Sequence, residues 1–250
     1  MSESISLGGI ELKDVITFQT KIMMGAQFGR VKKAQKQEDI IVACLRLGWN
    51  DAFRHTSENV KEDSKTKLEI ESQKRKKKHK DVYDDYICSL LIEDEFLKIF
   101  RDYALATDTK EKRKCINERL ESLTKQLGTV KKIEGDKKLC FGHFQKLFNI
   151  ALKLYLCLYM CKDYLEIADG LFDKDIIRNI HKADCPIDSI ILDRLKEDTG
   201  NKEYSLYKWS KFGTEAFSDE LYEKVQENIS QLECVKGKSN LYYDFIAWKE

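Results

Sequence analysis

Proline is nearly missing from this chain. Pro186 is the only one among 250 residues. The many Lys, Glu, Leu and Ile residues favour helices, and few breakers interrupt them. Excess charge of either sign is missing too. Charged residues make up 35% of the sequence, yet the formal net charge is +1. A uniformly basic polyanion binder is excluded, so any nucleic-acid contact has to come from local patches. The eight cysteines, Cys44, Cys88, Cys115, Cys140, Cys157, Cys161, Cys185 and Cys234, include no Cys-x-x-Cys pair. A zinc site therefore has no ligand spacing to rest on. No leader-like segment and no membrane-spanning run are visible, so a reduced, cytoplasmic setting without a membrane partner is expected. A chain of this length can bury a sizeable core, as one domain of two lobes or as two small domains.

The most informative stretch runs from Phe141 to Asp188. Phe144 to Met160 is almost continuously apolar and too long for an ordinary strand, which predicts a buried helix. Gln145, Lys146, Asn149 and Lys153 interrupt it. They fall within roughly 100° of helical arc, with the two lysines nearly in line. Buried unpaired amines are costly, so the stripe either faces water or lines a cleft. Cys157 and Cys161, one turn apart in the same run, read as small core residues. The stretch closes on Asp184-Cys-Pro-Ile-Asp188. Proline suits the first turn of a helix, and an acid at the third helical position suits its positive end. By itself, Asp188 reads as a residue that starts a helix.

In order and spacing, these segments resemble the helix-hairpin-helix DNA glycosylases. The similarity is greatest to the archaeal 8-oxoguanine glycosylase branch and its bacterial phage-defence relatives. The residues that carry it are an apolar lead-in with one glycine, Gln145-Lys146, a second lysine at Lys153, and Pro186-Ile-Asp188. Asp244-Phe-Ile-Ala-Trp248 adds the Asp-x-x-x-Trp spacing of that family's base pocket. The resemblance covers mainly the C-terminal half. It implies an all-α, two-lobed fold with the active site between the lobes. One lobe would combine about 1–56 with 200–250. The other would span about 81–199 and hold the helix-hairpin-helix at 139–160 and the Pro-x-Asp at 186–188. All 250 residues would form one catalytic unit. The usual Gly-x-Gly of the hairpin is reduced here to Gly142 alone. The four closely spaced C-terminal cysteines that hold an iron–sulfur cluster in some of the wider superfamily are absent.

Residues 57–80 are highly charged, and Lys74 to Lys80 reads Lys-Arg-Lys-Lys-Lys-His-Lys. Two readings stand together: a solvated linker or insertion, and a phosphate-contacting strip carried by Lys76, Lys77 and Lys78. Val31 to Phe53 predicts a helical pair or one interrupted helix, with Trp49 in the core or reaching a flipped base. Helical spacing continues over Val82 to Ala106 and Lys110 to Leu127, where Gly128 fits a helix end. A short helix is expected within Ile167 to His181, and another from Ser189 to Leu195. Gly200 to Thr214 reads as a loop whose Tyr204, Tyr207, Trp209 and Phe212 either pack the lobes together or stack on nucleobases. Glu220 to Leu232 and Leu241 to Trp248 complete the helices.

The resemblance implies a chemistry. A base inside a duplex hides its glycosidic bond, so the nucleotide must be extruded into a pocket. Lys146 would attack the sugar C1′, or a water would attack in its place; the sequence leaves both routes open. An ordinary lysine has a pKa of about 10.4, and apolar surroundings and the charge of Lys153 are expected to depress it. Asp188 would face the cationic sugar and accept a proton. Lys153, Gln145 and Asn149 would support the pair, while Asp244 and Trp248 would hold the base. Gly142 and His143, in the tight turn of the hairpin, would contact phosphate through exposed amides. No metal or redox cofactor is needed. The expected partner is double-stranded DNA containing a modified base, bound by a monomer. The substrate expected is a bulky modified cytosine such as glucosylated hydroxymethylcytosine of phage DNA, with 8-oxoguanine as the alternative. A non-catalytic helix-hairpin-helix DNA-binding protein is the competing class.

Overall fold

A computed structural model describes residues 9–11, 31, 33–52, 94–120 and 140–247. The described residues are all-α, with eight helices and no strand. In chain order they are α1 (Gln37–Ala52), α2 (Asp94–Leu105), α3 (Thr109–Asn117), α4 (Phe141–Met160), α5 (Lys174–Asn179), α6 (Ser189–Thr199), α7 (Glu220–Gln231) and α8 (Leu241–Ala247). Short 3-10 turns lie at Asp169–Leu171, Ile180–Lys182, Lys202–Leu206 and Trp209–Lys211. None of these helices is long and apolar enough to cross a membrane.

The predicted buried helix is α4, and the other elements are arranged around it. Every residue from Phe141 to Leu158 except Ile150 is buried. A helix that is apolar nearly all round has to be enclosed by others. Phe148 is one anchor. Its ring meets Phe96, Phe100 and Tyr103 of α2 at centroid distances of 5.9, 5.9 and 5.1 Å. Burying a side chain of this size stabilises by about 1.5–3 kcal/mol. Trp49, Cys157 and Cys161 are core residues, as expected for small or apolar groups in such runs.

α1 packs along α4. Their approach is set by Gly48, where an added Cβ would lie 2.6 Å from the carbonyl oxygen of Leu147. Only a residue without a side chain permits that contact. Three residues on, the same face of α1 carries Asp51 towards Lys146, the neighbour of Leu147.

The helix boundaries match expectation in some places and differ in others. Within Val31 to Phe53, Val31 is helical and is separated by Lys33 to Lys36 from α1, in keeping with an interrupted helix or a helical pair. The expected Lys110 to Leu127 helix begins as α3 at Thr109, capped by Asp108, whose carboxylate accepts the Glu111 N–H at 2.8 Å, and breaks in a turn at Glu118 and Arg119; residues 121–127 and Gly128 lie outside the described residues. α5, capped by Asp173, falls within the expected Ile167 to His181. Asp188 is the N-cap of α6 rather than its third residue, and it accepts the Ile191 N–H at 3.0 Å. An extended Asp with its oxygen on an orphan amide satisfies the helix start better than Pro186 in the first turn does.

A candidate active site on α4

The polar row of α4 does not face water. Gln145, Lys146, Asn149 and Lys153 are 0%, 7%, 0% and 2% exposed. Each has partners, and three of them face the segment that ends in Asp188. Gln145 donates from Nε2 to the Ile187 carbonyl at 2.9 Å and accepts the Ile187 N–H at 3.2 Å. From the other side, Gln226 of α7 accepts the Cys185 N–H at 3.0 Å and donates to the Cys185 carbonyl at 2.6 Å. The two glutamines hold this extended strip as a neighbouring strand would. Pro186 sits between their contacts, where its missing N–H leaves nothing unsatisfied.

A buried network fixes the start of the strip. Asp184 accepts from Thr109 at 2.9 Å, from the Lys112 ammonium at 3.3 Å and from the Tyr222 hydroxyl at 3.0 Å. Asn149 donates to the Tyr222 oxygen at 2.8 Å and accepts from the Tyr103 hydroxyl at 2.8 Å. Burial first, then the Asp184 charge, pushes both tyrosines well above the usual phenol range. Both therefore act as O–H donors.

Lys146 stands where three elements meet. Its Nζ lies 2.9 Å from Asp51 of α1 and 3.4 Å from Asp188. The Trp209 ring covers the amine at 4.7 Å from its centroid, a cation–π contact. The side chains of Lys146 and Asp188 are 9% and 10% exposed, whereas Asp51 is 31% exposed and forms the solvent side of the cluster. Such an arrangement can hold an amine, take up its proton and present a negative charge to a developing cation.

Lys153 is grouped differently from the expectation. Its ammonium is closed onto Asp244, 2% exposed, and lies over the Phe245 ring at 4.7 Å. Its charge is thus met by a carboxylate rather than left bare as an influence on Lys146. Asp244 is correspondingly engaged with Lys153 in this state.

The start of α4 corrects the tight-turn expectation. The helix begins at Phe141 with Cys140 as N-cap, so Gly142 and His143 belong to its first turn. The Gly142 N–H donates to the Phe212 carbonyl at 2.9 Å, so it is not an exposed amide for phosphate. A Cβ on Gly142 would collide with the Trp209 carbonyl. The glycine is there for the close approach of the 209–213 loop, which carries Trp209 to Lys146. His143 is 8% exposed, and its ring meets Trp209 edge to face at 5.8 Å. Burial, with the Lys146 charge second, pulls it down to about 4, so it is neutral near pH 7. Burial and neutrality make it a packing partner of the loop rather than a phosphate neighbour.

Lys76, Lys77, Lys78 and Trp248 lie outside the described residues. The structure brings together Lys146, Asp188 and Gln145, and it adds residues that sequence reasoning did not assign: Asp51, Asp184, Lys112 and Tyr222. Trp209 was noted only as one of several loop aromatics. Asp51 had one faint signal. It is an acid in the last turn of a helix with no basic residue there, against the polarity of the helix end. Among the described residues no group of three or more His, Cys, Asp or Glu side chains is placed to hold a metal ion. Comparison with protein-family models, with curated proteins and with solved structures finds no match to this chain.

Proposed function

We propose that this chain is a DNA N-glycosylase, an enzyme that flips a nucleotide out of the duplex and breaks its base–sugar bond. Its target, in this proposal, is a bulky modified cytosine of phage DNA, glucosylated hydroxymethylcytosine, removed in antiphage defence to leave an abasic site. The two-lobed helix-hairpin-helix arrangement, with the site between the lobes, belongs to the same proposal.

The observation that carries it is the meeting of Lys146 and Asp188, distant in sequence, at 3.4 Å beside a half-buried tryptophan. Lys146 is the amine that attacks C1′, and Asp188 faces the oxocarbenium-like sugar. Asp188 is held in place by the Ile191 N–H at the start of α6. Trp209 offers a flat apolar face beside the amine. The competing class is a non-catalytic helix-hairpin-helix DNA-binding protein; in either class the Gly142 N–H, engaged by the Phe212 carbonyl, is not the phosphate contact.

The test is base release from phage DNA with and without the sugar, alongside an 8-oxoguanine duplex. The wild-type protein should release the sugared base, and borohydride should trap it on DNA if the lysine route operates. Lys146→Gln and Asp188→Asn should abolish release and keep DNA binding. Equal release from sugared and unsugared DNA would defeat the substrate assignment. Release that survives Lys146→Gln unchanged would defeat the site.

A further inference from the structure

We propose that Asp51 is a second catalytic carboxylate, the acceptor of the Lys146 proton, leaving Asp188 to face the cationic sugar; the assignment rests on the glycosylase reading above. Lys146 has two carboxylates in ion-pair reach, and they stand at opposite kinds of helix end. Asp188 is the N-cap of α6, where one oxygen already accepts the Ile191 N–H at 3.0 Å and the helix end is partially positive. A proton there would weaken the cap. Asp51 lies in the last turn of α1, where the helix end is partially negative. It is also the nearer partner, at 2.9 Å against 3.4 Å, and the more exposed, at 31% against 10%. Among the described residues the other groups recorded near the amine are the Trp209 ring and the neutral His143, and neither is an acceptor for the proton.

The step balances. The Lys146 ammonium gives one proton to the Asp51 carboxylate. The freed lone pair bonds to C1′ as the C1′–N bond breaks, and the electron pair of that bond leaves with the base. The base then takes the proton from the Asp51 carboxylic acid. Lysine ends as a secondary ammonium on the sugar, Asp51 is again a carboxylate, and the sum of charges is unchanged.

The experiment is single-turnover base release and borohydride trapping from glucosylated phage DNA, with wild type, Asp51→Asn, Asp51→Glu and Asp188→Asn, between about pH 7 and pH 10. The Asp51→Asn protein should be slower by about 100-fold or more near neutrality, the scale of a lost general base. It should recover towards wild type as hydroxide takes over, and Asp51→Glu should restore part of the neutral rate. Asp188→Asn should be deficient across the range. An Asp51→Asn rate close to wild type, or a loss equal at every pH, would overturn the assignment. If wild type releases no base from that DNA or from an 8-oxoguanine duplex, the glycosylase reading falls. Asp51 is then judged on the free protein, by the rate at which dinitrofluorobenzene labels Lys146, read by peptide mass spectrometry. A several-fold change in Asp51→Asn, larger than in Asp188→Asn, supports Asp51 as the holder of the amine's proton. Equal rates in all three proteins refute it.

Discussion

The two lysines of α4 stand about two helical turns apart and occupy opposite surroundings. Lys153 is paired with Asp244, both at 2–3% side-chain exposure. Lys146 has two carboxylates and an aromatic face, and one carboxylate opens to solvent. A fully buried ion pair cannot lose one member cheaply. An amine between two carboxylates can exchange them, which the proposed nucleophile role would require. The same helix thus carries one enclosed lysine and one beside a more exposed carboxylate.

The largest effect should come from breaking the sealed pair. Asp244→Ala should lower stability by about 3–5 kcal/mol, because it leaves an uncompensated buried ammonium. Urea denaturation measures it. Replacing both partners, as Lys153→Met with Asp244→Leu, should recover most of that loss, since apolar groups of similar size remove both desolvation costs. A loss below about 1 kcal/mol in Asp244→Ala would mean the pair is not sealed in solution.

Next in size is the acid sensitivity set by His143, one turn from Lys146. The unfolded histidine binds a proton below its ordinary 6.5, and the folded one only below about 4. Between those values unfolding takes up a proton, so stability is full above 6.5 and falls as the pH drops towards 4. The loss reaches at most about 3 kcal/mol. In His143→Gln, the stability profile between pH 6.5 and about 5, above most carboxylate titration, should flatten. An unchanged slope would show that His143 is solvated.

Gly48→Ala tests how the open cluster is assembled. The new methyl would meet the Leu147 carbonyl at 2.6 Å, so α1 must move away from α4. The expected cost is about 1–3 kcal/mol, as for other overpacked sites. The functional effect should be selective, because Asp51 moves with α1 while Asp188 stays on its own glutamine clamps. A variant with wild-type stability and activity would show that the two helices are not in close contact.

This contrast between the lysines was only half legible in the sequence. The apolar run gave α4, and the spacing placed Gln145, Lys146, Asn149 and Lys153 on one stripe. Periodicity reports which residues share a face, and it is silent on what the face meets. Lys112 illustrates this. It looks like one more surface lysine of an amphipathic helix, yet it is 1% exposed and paired with Asp184. Asp51, Tyr222 and Trp209 reach the stripe from separate elements, through contacts with no local pattern. Gly142 misled for a different reason. A lone glycine before an apolar helix suggests a turn, whereas here it answers a steric demand from a loop far along the chain.

The smallest effect should come from removing the open cluster's exposed carboxylate. Asp51→Asn deletes an ion pair that water already screens, and Lys146 keeps Asp188 at 3.4 Å. Its stability cost should stay within about 1 kcal/mol, the range of partly exposed pairs. Asp51 should therefore be nearly silent in denaturation, and under the proposed function prominent in base release, while Asp244 should be prominent in denaturation. Measuring both variants by urea unfolding in one buffer gives the comparison directly. If Asp51→Asn proved as destabilising as Asp244→Ala, Lys146 would be a second structural lysine, held too tightly by its partners to release a proton or attack a sugar.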